Sequence, residues 1–143
     1  MKTFPNPKIN IGLNVLKKRP DGFHDLETLF VPYFGMTDEL EITAGSEQDI
    51  RIIGPKIDWD PNKDLTARAY EILDADFNLP PVNIVLKKNI PVGAGLGGGS
   101  SDAAFTLKML NEMFSLGLDD DALAGYAARL GSDCAFFIYN RPM

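Results

Sequence analysis

The chain is predicted to be an α+β domain, a mixed or antiparallel sheet packed with helices, and three observations carry that expectation. Polarity alternates along short stretches of the first half, the pattern of half-buried strands. Apolar residues recur at helical spacing between Asn62 and Leu73 and again beyond residue 100. A glycine-rich run joins the last alternating stretch to a helix.

Each element has its own signal. Lys8 to Leu16 reads as a strand, with Ile9, Ile11, Leu13 and Val15 on one face and Lys8, Asn10, Gly12 and Asn14 on the other. Arg19, Pro20, Asp21 and Gly22 form a turn signal, and a second strand over Asp25 to Tyr33 would complete a hairpin. Asp38 to Thr43 and Asp49 to Ile53 read as a further strand pair around Ala44, Gly45 and Ser46. The helix over Asn62 to Leu73 lines up Leu65, Ala69, Ile72 and Leu73, and Val82, Ile84 and Leu86 alternate in a strand that leads to the glycines. The helix that follows them carries Ala103, Ala104, Leu107, Leu110 and Phe114. Another helix starts at Asp119, Asp120 and Asp121, whose carboxylates suit a helix N-terminus, and stops at Gly131. Ala135 to Tyr139 reads as an apolar strand close to the last residue. With nothing after it as cover, it predicts a larger protein cut short, a natural edge strand being the alternative.

Composition narrows the classes. At 143 residues and 45% hydrophobic content the chain is long and apolar enough for one folded core. A net charge of −6 argues against nucleic acid as a partner, since the only basic run, Lys17, Lys18 and Arg19, sits at a hairpin tip. The single cysteine, Cys134, excludes an internal disulfide framework and suits a reducing compartment. Neither a signal peptide nor an apolar run of the ~18 residues needed to cross a membrane is present, so a soluble, cytoplasmic protein is expected.

The most informative segment is Pro91, Val92, Gly93, Ala94, Gly95, Leu96, Gly97, Gly98, Gly99, Ser100 and Ser101, followed by Asp102. So many glycines cost backbone entropy, which is recovered only where φ > 0 or close approach of another group is required. A glycine loop that opens a helix offers free N–H groups and a positive dipole end to an anion, so the run suits phosphate; tight helix–sheet packing is the plain alternative. A Walker A loop is excluded because Ser100 and Ser101 stand where Lys and Ser/Thr would be needed. Gly93, Gly95 and Gly98 meet the spacing of a dinucleotide fingerprint, but the acids some 20 residues on, Asp119 to Asp121, open a helix instead of ending a strand. A small-molecule kinase loop wrapped around a nucleotide triphosphate remains.

The run from Pro91 to Ser101 resembles the signature of the GHMP kinases. Three further stretches occur with it in order: Pro7 to Ile11, Arg19 to Leu29, and Gly131, Ser132 and Asp133. Together they are similar to the branch that phosphorylates 4-diphosphocytidyl-2-C-methyl-D-erythritol in the non-mevalonate isoprenoid pathway. The likeness covers the whole chain but about the N-terminal half of such an enzyme, so residues 1–143 would be the ATP-binding N-terminal domain, without the C-terminal GHMP domain. The resemblance implies a ribosomal-protein-like two-layer βαβ domain with a left-handed crossover. It implies Asp133 as catalytic base with Lys8 as its partner, Asn10 near the reacting hydroxyl, and Phe23 and His24 on the cytosine ring. It implies Pro91 to Ser101 on the phosphates of ATP, with Ser100 or Ser101 meeting Mg²⁺ carried by the nucleotide. Phe23 stands where the family often has tyrosine, and Ala135 where it often has proline.

Local chemistry agrees with these roles. Lys8 and Asn10 are two apart on a strand and share its polar face. Phosphoryl transfer needs positioning, charge neutralisation and a group to take the hydroxyl proton. Taken alone, Lys8 would be an ordinary exposed lysine, His24 a surface histidine beside a turn, and Cys134 a small buried residue. A kinase transferring the γ-phosphoryl of ATP to the 2-hydroxyl of a small cytidine diphosphate-linked substrate is therefore expected, the half-length chain itself being inactive. Another GHMP kinase, separable by a cytidine-displacement assay, or a non-catalytic nucleotide-binding module are the alternatives.

Overall fold

A computed structural model describes residues 1–18, 24–54, 59–92 and 96–142. Strands β1 (Lys2–Thr3), β4 (Glu39–Ala44), β5 (Asp49–Ile53) and β6 (Val82–Lys87) form one mixed sheet in the order β1-β4-β6-β5. Strands β2 (Lys8–Lys18) and β3 (His24–Pro32) form a separate antiparallel hairpin. Four α-helices follow in chain order: α1 (Leu65–Phe77), α2 (Gly98–Met113), α3 (Asp120–Leu130) and α4 (Cys134–Tyr139). Among the described residues no helix is long and apolar enough to cross a membrane.

The α+β expectation holds, and three elements differ from their sequence signals. β4 and β5 both form but do not pair with each other, because β6 lies between them, antiparallel to β4 and parallel to β5. The connection from β4 to β5 is captured by the start of β6. Gly45 N donates to Pro81 O at 3.2 Å, and Val82 N donates to the Gln48 side chain at 2.9 Å. Val82, Ile84 and Leu86 are at most 1% exposed, a burial that needs a neighbour on each side of the strand.

Ala135 to Tyr139, expected as a strand, lie in helix α4. Short apolar runs do not reveal their period, so packing decides. As a helix the run buries Cys134, Phe136, Phe137 and Ile138. It then stops at Asn140, which takes the left-handed conformation (φ 53°) and donates its N–H to Phe136 O. Helix α1 begins later than Asn62 and runs on to Phe77. Pro61–Lys63 form a 3₁₀ turn, and Asp64 caps α1 by accepting from Thr66 N at 2.9 Å.

One face of the mixed sheet carries Leu40, Ile42, Ile84 and Leu86, and α1 and α2 pack with it through Ala69, Leu73, Ala103, Ala104, Leu107 and Leu110. α3 and α4 pack against α2. The hairpin behaves differently. Lys8, on its polar face, is 4% exposed, whereas Ile9 and Ile11 on the apolar face are 39% and 49% exposed. Lys8 itself is turned towards the body, while Asn10, on the same face, is exposed like Ile9 and Ile11.

Leu107 is fully buried where α2 meets the sheet-facing core. Leu107→Ala should lower unfolding free energy by about 2–5 kcal/mol, through lost transfer energy and the cavity left behind. A urea unfolding curve with the midpoint lowered and the slope unchanged is the expected result.

Candidate active site

The site is built around the start of α2. Gly97 occupies its N-cap at φ 70°, in the left-handed region, and no side chain caps the helix. No acidic residue sits in the first turn. The free N–H groups and the positive end of the dipole are therefore left to an outside anion. Glycine is required at 97 on two counts. The backbone is left-handed, and a Cβ there would lie 3.1 Å from the Phe137 ring and 3.3 Å from Lys8 Cε.

A cleft of about 290 Å³ opens beside this helix end. Gly97 to Ser100, Pro91, Val92 and Leu96 form one wall, with Trp59, Asp64, Leu65 and Lys88 opposite or beneath. Trp59, the single tryptophan, donates its indole N–H to Asp64 Oδ2 at 2.9 Å, while Asp64 Oδ1 caps α1. The ring is thereby tied to the start of a helix. Of the phosphate-loop candidates, Pro91, Val92 and Leu96 to Ser100 line this cleft. Gly93, Ala94 and Gly95 lie outside the described residues. Ser101 is fully buried, with a hydroxyl that has no hydrogen-bond partner, and it is not among the residues lining the cleft.

Lys8 connects the loop to Asp133. Its main-chain N donates to Leu96 O at 2.8 Å, joining the start of β2 to the middle of the glycine run. Its ammonium donates to Asn10 Oδ1 at 3.0 Å, lies 4.5 Å from the Phe30 ring centroid, and stands 4.0 Å from Asp133 Oδ2. The Asp133 side chain is 37% exposed. Asp133 sits at the N-cap of α4 yet makes no capping hydrogen bond, so its carboxylate is not consumed by the helix. Lys8, Asn10, Asp133 and Gly97 are thus assembled in one place.

His24 is not brought to that place by register alone. It opens β3 opposite Lys18, at the far end of the hairpin from Lys8. Along a straight strand the separation would be roughly 30 Å. Pairing shifts between Ile11 and Asn14 and between Val15 and Lys17 are irregularities of the kind that bend a strand. Phe23 and the His24 side chain lie outside the described residues.

Several contributing residues had escaped the sequence reading. Asn6, 1% exposed, and Asn140 exchange two side-chain hydrogen bonds, at 3.0 and 2.7 Å, across 134 positions. That amide pair holds the far end of α4 against the lead-in to β2, so α4 is fixed at both ends. An asparagine just after an apolar helical run is a recognised left-handed cap, which was the available signal. Cys134 is fully buried, and burial pushes its thiol above the ordinary value, partly offset by a hydrogen bond with the Ser100 side chain. A thiol so disposed stays protonated and unreactive.

Comparison with known proteins gives a consistent set. Residues 64–141 match the family model described as GHMP kinases N terminal domain. The 4-diphosphocytidyl-2-C-methyl-D-erythritol kinase of Bacteroides fragilis is 54% identical over 99% of this chain and 53% of its own length. That of Parabacteroides distasonis is 46% identical over the whole chain and 52% of its own length. A crystal structure of 4-(cytidine 5'-diphospho)-2C-methyl-D-erythritol kinase superposes with a TM-score of 0.82 at 37% identity, covering 99% of this chain and 50% of that one. Homoserine kinase from Cytophaga hutchinsonii shares the fold, with a TM-score of 0.66 at 17% identity over 96% of this chain and 41% of its own. The chain spans about half the length of the curated relatives it matches.

Gly97→Ala should destabilise the chain by about 1–3 kcal/mol, the cost of a left-handed non-glycine residue. Gly99→Ala should be far milder, since a Cβ there meets nothing within 4 Å. Paired urea titrations of the two variants measure the difference.

Proposed function

The chain belongs to the GHMP kinases, and from that membership we propose that residues 1–143 form the ATP-binding N-terminal domain of a small-molecule kinase. The reaction proposed is transfer of the γ-phosphoryl group of ATP to the 2-hydroxyl of 4-diphosphocytidyl-2-C-methyl-D-erythritol, a step towards isoprenoid precursors. A C-terminal domain lying outside this chain would complete the enzyme. The observation that carries the reading is the junction at Lys8. Its main chain is bonded to the middle of the glycine run at Leu96, and its ammonium faces Asp133. A phosphoryl group received at the α2 N-terminus would therefore lie beside a carboxylate able to take the acceptor's proton.

The roles follow from these contacts. Pro91 to Ser101 receive the triphosphate, with the uncapped N–H groups of α2 as donors. The cleft between Trp59 and the loop takes the remainder of the nucleotide. Asp133 accepts the hydroxyl proton, and the Lys8 ammonium offsets negative charge gathering between donor and acceptor. Asn10, held by Lys8, orients the acceptor. Among the described residues no group of three or more His, Cys, Asp or Glu could hold a metal ion. Ser100 offers one hydroxyl in the cleft, which fits Mg²⁺ that arrives on the triphosphate with its own waters. When bound there, that ion would neutralise phosphate charge. Phe23 and His24 would hold the cytosine ring, the first by stacking and the second through a ring nitrogen.

Two experiments test this in the complete enzyme. Asp133→Asn keeps shape while removing the basic carboxylate, so kcat should fall by roughly 10²–10⁴-fold, with ATP still quenching or enhancing Trp59 fluorescence. Lys8→Met should lower kcat too, and the double variant should lose much less than the product of the two single losses. Near-parental turnover by folded Asp133→Asn at saturating substrates would remove the assignment. Separately, Phe23→Ala should raise KM for the cytidine substrate by the loss of a stacking face worth about 1–3 kcal/mol, with the ATP affinity unchanged. The reverse pattern would assign Phe23 to the nucleotide or to the core.

A further inference from the structure

Both stems of the glycine run end on one buried ion cluster. Asp38, Lys88 and Asp102 are 0%, 7% and 1% exposed. Lys88 Nζ donates to Asp38 Oδ2 at 2.7 Å and to Asp102 Oδ2 at 2.6 Å. The other oxygen of Asp38 accepts from the main-chain N–H groups of Asn89 at 2.6 Å and Ile90 at 2.8 Å. Residues 88–90 are the entry to the glycine run, and Asp102 lies one turn into the helix that leaves it. Four charge-assisted hydrogen bonds thus tie entry to exit through Asp38, at the edge of β4.

The charge count of the cluster explains its shape. Two buried carboxylates face one ammonium, and an uncompensated buried charge costs several kcal/mol. Burial, and next the neighbouring Asp38, push the Asp102 carboxyl well above the usual carboxylate range. A neutral Asp102 would leave the cluster balanced; its Oδ1 is buried and makes no hydrogen bond. Lys88 lines the cleft and would read as a phosphate ligand from its place beside the loop. Its ammonium is instead already engaged by the Asp38 and Asp102 side chains.

We propose that Asp38, Lys88 and Asp102 are positioning residues that staple the two stems of the glycine run together and so hold Gly97 and the first turn of α2 in their anion-receiving form, with Lys88 as a strut and not a phosphate ligand. The significance for nucleotide binding rests on the reading of this loop as the triphosphate site; the staple itself does not.

Amide hydrogen exchange on the 143-residue chain without nucleotide tests it. Asn89 and Ile90 N–H report the entry stem, Ser101 N–H, bonded to Gly97 O, reports the exit, and Lys8 N–H, bonded to Leu96 O, reports the middle of the run. In Asp102→Leu these four amides should exchange at least about tenfold faster, while Ile84 and Val85 in the central strand stay near parental rates. Asp102→Asn has the shape of the neutral acid and should restore protection at all four. Unchanged rates at the four amides in Asp102→Leu would overturn the proposal. An equal rise at Ile84 and Val85, or Asp102→Asn behaving like Asp102→Leu, would do so as well. If Asp102→Leu does not fold, Lys88→Met makes the same test, and loss of folding in both would show a general scaffold role and overturn the proposal. Titration with inorganic tripolyphosphate, read by Trp59 fluorescence, separates the two readings. Weaker binding in Asp102→Leu but not in Asp102→Asn supports both, whereas selective exchange in a chain whose parent binds no tripolyphosphate supports the staple and overturns the phosphate reading.

Discussion

At Gly97 two segments remote in sequence close in on one backbone position. The ring of Phe137 and the stem of Lys8 both lie within 3.3 Å of where a Cβ would stand, tighter than ordinary contact. This close approach puts α4 and the first residues of β2 against the N-terminus of α2. Asp133 is at the start of α4 and Lys8 at the start of β2, so the same contact that excludes a side chain at 97 delivers the carboxylate and the ammonium to the helix end. With glycine at the N-cap no side chain takes up the first N–H groups of α2, which leaves donors for a ligand. Packing, helix electrostatics and the placement of the proposed base are consequences of one steric condition.

Two buried lysines flank this point and are held in different ways. The contacts of Lys8 include the Asn10 amide, the Phe30 ring face and the Asp133 carboxylate at 4.0 Å. A cation over a ring contributes about 0.5–2 kcal/mol, enough to orient a side chain without neutralising it. The T-shaped contacts that run from Phe30 to Phe136 and on to Phe137 tie that ring to α4. Lys88, by contrast, contacts two carboxylates at hydrogen-bond distance, and its charge serves the scaffold. Equal residue types at comparable burial thus serve opposite ends, and only the partners tell them apart.

The hairpin adds a surface that the body of the domain does not use. Ile9, Ile11 and Leu29 are each more than a third exposed, and Ile11 pairs directly with Leu29 across the strands. Phe34 and Tyr33, just beyond β3, are exposed as well. Clustered apolar side chains of this kind are uncommon on an isolated domain. The asymmetry has a local cause. β2 turns Lys8 inward to meet Asp133, and strand alternation then forces Ile9 and Ile11 outward.

Much of the domain was legible from local patterns, including part of what went unread. Leu40, Ile42, Val82, Ile84 and Leu86 are inward by alternation, and the same parity puts Asp38 and Lys88 on the core side. Since Leu40 pairs with Leu86 and Glu39 with Lys87, one further step along the ladder sets Asp38 opposite Lys88. The parity lay in the sequence, whereas the register that sets the two residues opposite each other came from the fold. The helix signals at Asp119, Gly131 and the glycine run were read correctly because caps and turns depend on neighbours a few residues away. By itself the sequence determined which stretches alternate, which coil, where helices start, and that a glycine loop opens one of them. Tertiary structure alone decided that β6 enters between β4 and β5, that Ala135 to Tyr139 coil instead of extending, and that Lys8, Gly97 and Asp133 meet. Those outcomes rest on contacts across the chain, as far apart as the 134 positions between Asn6 and Asn140, and local propensity carries no information about partners that distant.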